Sequence, residues 1–96
     1  MARRKSKQKR LVLRLYIAGS APNSVLALAN ARAICAEHFS TTHDLEIIDL
    51  LQYPLLALKD SIIVTPTLLK LLPLPAVRLI GNLSDTDRVV FSLGTT

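Results

Sequence analysis

Residues 61–80 read SIIVTPTLLKLLPLPAVRLI and place the strongest constraint on how the chain folds. The stretch is apolar and partly β-branched, as buried strands are, yet it contains Pro66, Pro73 and Pro75. Proline cannot donate a hydrogen bond within a sheet, and it interrupts helices. We predict one strand over residues 64–72 and another over residues 77–80.

The residues before this stretch predict a strand, a helix and a second strand. Residues 11–18 (LVLRLYIA) form a short apolar run, residues 22–39 are rich in alanine, and residues 45–50 (LEIIDL) form a second apolar run. A polar loop is expected between the helix and the second run. Two strands joined by a helix over about 40 residues form a right-handed unit with parallel strands.

The predicted first helix carries local signals for its start and its buried face. Pro22 suits the first turn, and Ser20 or Asn23 can cap the free N–H groups. Helical spacing places four small or apolar side chains on one face, namely Leu28, Ala31, Ile34 and Cys35. Cys35, the only cysteine, is therefore expected to be a buried hydrophobe.

The rest of the chain predicts a short helix after Pro54 and a final helix after the Gly81-Asn82 turn. Ser84 is expected to cap the final helix, whose apolar face comprises Val89, Val90 and Leu93. The resulting order, βαβ followed by αββα, is that of a thioredoxin-like α/β fold. In that fold a cis proline begins the third strand, and Thr65-Pro66 occupies that place.

Composition divides the chain into a basic leader, residues 1–10, and one domain, residues 11–96. The leader holds six of the twelve Lys and Arg residues and no acid. The domain has six basic and seven acidic residues. A basic leader can bind nucleic acid or anionic lipid, but no aromatic residue lies among its charges. We expect a disordered leader and no nucleic-acid partner.

Half of the residues are hydrophobic, and the mean hydropathy is +0.37. We expect part of that apolar surface to be covered by self-association into a dimer or tetramer. No stretch is long and apolar enough for a membrane span, and no signal peptide is visible, so we expect no membrane association and a cytoplasmic protein.

The sequence does not contain the residues that a catalytic site in such a fold would need. A thioredoxin-type oxidoreductase needs a reactive cysteine at the start of the first helix, and residues 18–24 (AGSAPNS) contain none. His38 and His43 flank a polar loop and are interpreted as surface residues rather than metal ligands. We expect no catalytic residue, no cofactor and no metal.

Four segments in order resemble the KaiB family of circadian clock proteins. They are LRLYIAGSAPNS (residues 13–24), IIDL (47–50), VTPTLLKLLPLP (64–75) and IGNLSD (80–85). The resemblance covers nearly all of residues 11–93. The KaiB-like sensor domain of a clock-output histidine kinase is the nearest competitor, and the Leu-Pro-Leu-Pro run favours KaiB itself.

The resemblance implies a non-enzymatic adaptor that binds the hexameric ATPase KaiC, in circadian or stress-related timing. It also implies a metamorphic fold: the C-terminal half is either thioredoxin-like (αββα) and monomeric, or a ground state (βααβ) that forms a tetramer. We hypothesise that Pro66, Pro73 and Pro75 help to separate the two states, since X–Pro isomerisation is slow.

The resemblance assigns partner binding to basic residues, of which Lys70 and Arg78 match family positions. Two other basic family positions are occupied here by Leu26 and Glu46. These changes weaken the expected charge match to a KaiC-type ATPase. The alternative function is a thioredoxin-like binding module whose basic leader binds nucleic acid or another acidic partner.

Overall fold

The computed structural model describes residues 10–40 and 42–94. The predictions about the leader concern residues that, Arg10 excepted, lie outside this range. The elements in chain order are β1 Leu11–Ile17, α1 Pro22–His38, β2 His43–Asp49, α2 Pro54–Lys59, β3 Thr67–Leu72, β4 Val77–Ile80 and α3 Thr86–Gly94.

One mixed sheet joins the two halves of the domain. Its strand order is β2-β1-β3-β4. β1 pairs in parallel with β2 and antiparallel with β3, and β4 is antiparallel to β3. The predicted α/β class is confirmed, and the C-terminal half has the thioredoxin-like αββα arrangement.

The face of the sheet beneath α1 and α3 holds the larger core. β1 contributes Leu11, Leu13 and Leu15, and Leu68 and Leu79 follow on β3 and β4. The helices add Ala27, Ala31, Ile34 and Cys35 from α1, and Val89 and Leu93 from α3. The predicted burial of Cys35 is confirmed. Alanine at the sheet-facing positions of α1 lets the helix approach the strands closely.

The opposite face is covered by α2 and holds a smaller core. Tyr16, Ile48, Ala57 and Leu69 are buried there. Leu50, Leu56, Ile62 and Leu71 pack against them. Alternation along β1 produces this division, since Tyr16 lies between Leu15 and Ile17, which belong to the other face.

Two strands begin at a different residue from the one predicted, and β1 and β2 each end one residue earlier than predicted. β2 begins at His43 rather than at residue 45, because Leu11 and Val12 of β1 extend the parallel ladder to His43 and Asp44. β3 begins at Thr67 rather than at residue 64. Pro66 has no N–H to donate, so the ladder with β1 begins at the residue that follows it.

The predicted helix caps were wrong. Ala21 precedes α1 and no side chain caps that helix, although Pro22 does occupy its first turn. Asp85, rather than Ser84, caps α3: its Oδ1 accepts a hydrogen bond from the Arg88 N–H at 3.2 Å. A carboxylate is also favoured over a hydroxyl at this position by the helix dipole.

Candidate partner-binding surface

The loop after β1 lies where thioredoxins carry their cysteines, and here it is held by backbone-directed hydrogen bonds. Asp49 Oδ1 accepts from the N–H groups of Gly19 at 3.1 Å and Leu51 at 3.0 Å. Ser24 is buried, and its hydroxyl accepts from the Ala18 N–H at 3.0 Å. The Ser24 hydroxyl and the Asp49 carboxylate therefore have structural partners in the backbone of this loop.

Three asparagines connect the loop before α3 to α1. Asn30 donates through Nδ2 to the Asn82 carbonyl at 2.8 Å. Asn82 in turn lies 3.4 Å from Asn23, from Nδ2 to Oδ1. The side chain that we expected to cap α1, Asn23, instead contacts this loop.

A polar cluster lies on the α2 face of the sheet. Arg14 donates to Glu46 through Nε at 2.8 Å and to Asp60 through Nη1 at 2.9 Å. The Tyr16 hydroxyl lies 2.7 Å from Asp60 Oδ2 and 3.0 Å from the Leu56 carbonyl. Arg14 and Asp60 retain only 25% and 18% of their side-chain exposure. We call Arg14, Tyr16, Glu46 and Asp60 the Asp60 cluster.

Burial and hydrogen bonds within the Asp60 cluster shift the pKa values of Asp60, Tyr16 and Arg14. Burial would raise the pKa of Asp60, but hydrogen bonds from Tyr16 and Arg14 outweigh it and lower that pKa. Burial, and then the bond to Asp60, raises the pKa of Tyr16 to about 12. Hydrogen bonds to Asp60 and Glu46 raise the pKa of Arg14. The cluster therefore holds a charged carboxylate beside a neutral phenol at neutral pH.

Arg78, one of the two basic residues assigned to partner binding, lies on β4 next to this cluster. Its guanidinium donates to the backbone carbonyls of Asp60 at 3.0 Å and Ser61 at 3.2 Å. It remains exposed and borders a shallow cleft between the end of α2 and the β3–β4 hairpin. The cleft is lined by Lys59, Asp60, Ser61, residues 69–71 and residues 76–78.

Lys70, the other assigned residue, is placed differently. It is 6% exposed. Strand alternation directs Lys70 to the face of Leu68, beneath α1 and α3, whereas Arg78 lies opposite Leu69 on the α2 face. Both residues border the cleft, but Arg78 alone of the two is exposed.

The three prolines lie at the two ends of the β3 segment. Pro66 directly precedes β3, and Pro73 and Pro75 lie in the connection to β4. All three follow cis peptide bonds, at Thr65–Pro66, Leu72–Pro73 and Leu74–Pro75. The predicted cis proline at the start of the third strand is confirmed, while the role of the prolines in switching stays a prediction.

Leu26 and Glu46, at which the resemblance expects basic residues, have different surroundings. Leu26 lies on α1 and is 49% exposed. Glu46 lies on the edge strand β2 and pairs with Arg14. The Glu46 carboxylate therefore has a cationic partner, Arg14, within the same sheet, whereas the Leu26 side chain exposes an apolar group to solvent.

Arg14, Tyr16 and Asp60 were not predicted as a group. The available signal was Arg14 itself, a charged residue in the middle of the apolar run LVLRLYIA. A charge at that position needs a partner on the covering element. The partner lies 46 residues away along the chain, so sequence spacing could not identify it.

The described residues hold neither a cluster of metal ligands nor a helix that could span a membrane. Within residues 10–40 and 42–94, no three His, Cys, Asp or Glu side chains come together as metal ligands. No helix within this part of the chain has the length and apolar character to cross a membrane. Burial raises the pKa of the Cys35 thiol to about 11, so it is not a reactive thiolate at neutral pH.

Solved structures share the architecture. The N-terminal domain of SasA from Synechococcus elongatus superposes with a TM-score of 0.72 at 27% identity, covering 88% of this chain and 80% of that one. Mitochondrial thioredoxin 3 from Saccharomyces cerevisiae also gives a TM-score of 0.72, at 12% identity, with 95% and 83% coverage. At that identity the thioredoxin likeness concerns the fold alone.

The sequence comparisons identify the family. The KaiB domain family model matches residues 14–95. The circadian clock oscillator protein KaiB of Synechococcus elongatus is 47% identical over 88 residues, which span 92% of this chain and 86% of the relative. KaiB of Microcystis aeruginosa is 46% identical over 86 residues, or 90% and 83% of the two chains. A match of this extent, together with the thioredoxin-like sheet, shows that the chain belongs to the KaiB family.

Proposed function

We propose that this protein is a KaiB-type clock regulator that acts by protein–protein binding and performs no catalysis. The observation that carries the proposal is the 47% identity to a circadian clock oscillator protein over 92% of the chain. The absence of cysteine from residues 18–24 supports a binding role, since thioredoxin chemistry has no nucleophile there. A role in stress adaptation remains a further prediction.

The partner implied by the family resemblance is a KaiC-type ATPase. Arg78 supports such an interaction because it is exposed beside a cleft and its backbone-bonded guanidinium is held in position. The family resemblance expects basic residues at the positions of Leu26 and Glu46, so we expect slower association with an acidic partner than for relatives that have basic residues there. Contact at Lys70 would require a different arrangement from the one described.

The experiment is size-exclusion chromatography with light scattering, with and without a KaiC-type ATPase and nucleotide. A complex that forms slowly and contains both proteins supports the proposal. The variant Arg78→Glu should weaken the complex, and Arg88→Glu, on α3, is the matched control for the change in charge. If no complex forms at any concentration or incubation time tested, the KaiC-type partnership is wrong for this chain.

A gain-of-function variant makes the test more specific. Leu26 is half exposed, so Leu26→Arg restores a basic residue without opening a cavity. We expect the association rate with the ATPase to rise several-fold and to become more sensitive to salt. An unchanged rate with intact binding would place the interface elsewhere on the protein.

Self-association is the second part of the proposal. Exposed apolar side chains support it, among them Leu51, Leu55, Leu58, Ile63, Leu74 and Phe91. Light scattering of the protein alone gives the mass directly. A dimer or tetramer at micromolar concentration is the expected result, and a monomer over the whole concentration range would contradict it.

A further inference from the structure

The α2 helix covers one face of the sheet with little apolar contact. It has six residues, of which only Ala57 is buried. Leu55 and Leu58 point to solvent, and Leu56 is half-buried. A helix of this length has little stability of its own, so tertiary interactions must hold it in place.

Much of that attachment is made by one carboxylate at the C-terminal end of the helix. Asp60 Oδ2 accepts hydrogen bonds from Tyr16 at 2.7 Å and Arg14 at 2.9 Å, both on β1. Hydrogen bonds to an ionised group are roughly twice as strong as neutral ones. The Tyr16 hydroxyl also lies 3.0 Å from the Leu56 carbonyl, so its single proton is shared between the last turn of α2 and the residue that follows the helix.

The turn that ends α2 is strained. The Ser61 N–H bonds to Leu58 O at 3.0 Å and the Ile62 N–H to Ala57 O at 2.9 Å, which is the pattern of a helix ending in a left-handed residue. That residue is Ser61, with φ of +57°. Glycine usually occupies this position because a side chain is disfavoured there. Closing α2 onto the sheet therefore forces Ser61 into an unfavourable conformation.

We propose that α2 is a releasable cover over the second face of the sheet, held closed by the Asp60 carboxylate and opposed by the strained Ser61 turn. Opening would expose the small apolar core of Tyr16, Ile48 and Leu69 while leaving the larger core beneath α1 and α3 intact. The weak apolar contact and the strained turn favour opening of α2, and the polar attachment at Asp60 opposes it.

The test is hydrogen–deuterium exchange of the full chain, resolved by residue. In Asp60→Asn we expect the Ala57 and Ile62 amides to exchange at least about tenfold faster. Amides in the centre of β1 and β3 should change less than about threefold. In Ser61→Gly, which removes the strain, we expect exchange of the same two α2 amides to slow about fivefold.

The matched control is Asp44→Asn. Asp44 likewise accepts hydrogen bonds from an arginine, here two from Arg10 at 2.7 Å and 2.9 Å, and these bonds involve no atom of α2. Exchange in α2 should therefore be unchanged in this variant. Equal acceleration of α2 and the sheet in Asp60→Asn, or no acceleration of α2, would overturn the proposal.

If Asp60→Asn fails to fold, Tyr16→Phe tests the same attachment while keeping the ring in the core. We then expect a selective increase of about threefold in α2 exchange, because Asp60 keeps its bond to Arg14. Unchanged α2 protection in Tyr16→Phe would show that the bond from Tyr16 to Asp60 does not hold the helix, and the proposal would be wrong.

Discussion

The two faces of the sheet are closed by different interactions. Beneath α1 and α3, twelve buried residues form one apolar cluster. Beneath α2, four buried residues form the core, and the Asp60 cluster adds charged hydrogen bonds at its margin. Both faces use alternate residues of the same strand β1, so a single run of seven residues supports two different kinds of packing.

The difference shows how one short domain can combine a fixed part with an adjustable part. Apolar burial is not directional, and its stabilisation of the α1 and α3 face does not depend on the protonation of any side chain. Charged hydrogen bonds depend on geometry and on protonation, so a small change at one atom affects the whole α2 attachment. We therefore expect substitutions on the two faces to differ in size and in their dependence on pH.

Truncation of the larger core should have the largest effect. Leu15 is fully buried on the α1 and α3 face, and Leu15→Ala should lower the free energy of unfolding by about 2–5 kcal/mol. Leu69→Ala makes the same chemical change on the α2 face. Because α2 can move toward the space left by the side chain, we expect a loss of unfolding free energy at the lower end of that range. Urea unfolding followed by circular dichroism measures both.

Equal losses of unfolding free energy in Leu15→Ala and Leu69→Ala would contradict the prediction that the two faces differ. A greater loss for Leu69→Ala would mean that the α2 face is the less adjustable of the two. Leu79→Ala, on β4 but on the larger face, is the control that separates the effect of the face from the effect of the strand.

The second prediction concerns the ionisation of Tyr16. The chain has two tyrosines, so Tyr53→Phe leaves Tyr16 as the only one. Its tyrosinate absorbance should appear with a midpoint near pH 12, because burial and the bond to Asp60 raise the pKa of Tyr16 to about 12. The raised pKa stabilises the fold below the unfolded value of about 10, and this contribution is lost as pH rises through about 12.

Circular dichroism of the same samples shows whether the chain is still folded at each pH. A midpoint near 10 in a chain that is still folded would mean that the phenol is accessible to solvent and that α2 does not cover it.

The sequence predicted the fold well because its signals were local. The apolar run of β1, the alanines of α1 and the prolines around β3 each identify an element without information from elsewhere in the chain. The errors were also local in origin. Asp85 and Ser84 are adjacent potential caps, and only the register of α3 determines that Asp85 bonds the Arg88 N–H.

The site could be predicted less well because its contacts are long-range. Lys70 and Arg78 are adjacent in the β3–β4 ladder, yet strand alternation separates their side chains to opposite faces. Arg14 gains its role only when α2 brings Asp60 to it. The sequence contains both residues but does not show that they meet.

The third prediction tests the polar attachment through its stabilising effect. Arg14→Met keeps the aliphatic stem but removes the bonds to Asp60 and Glu46, and it should lower the free energy of unfolding by about 1–2 kcal/mol. Arg10→Met removes an exposed pair with Asp44 and should cause no resolvable change. Urea titrations at neutral pH compare the two variants. Equal effects would show that the partial burial of Arg14 and Asp60 adds nothing to their interaction.

The smallest effect is expected on the outer side of α2. Leu55 is 77% exposed, so Leu55→Asn should change the free energy of unfolding of the monomer by less than about 0.5 kcal/mol. Ala57→Asn on the inner side of the same helix should cost several times more, because it places an amide in the small apolar core. Light scattering then compares the mass of Leu55→Asn in solution with that of the unsubstituted protein. A loss of stability accompanied by a fall in mass would mean that another subunit packs on this side of α2. The helix would then be held on the sheet by a subunit contact as well as by the Asp60 hydrogen bonds.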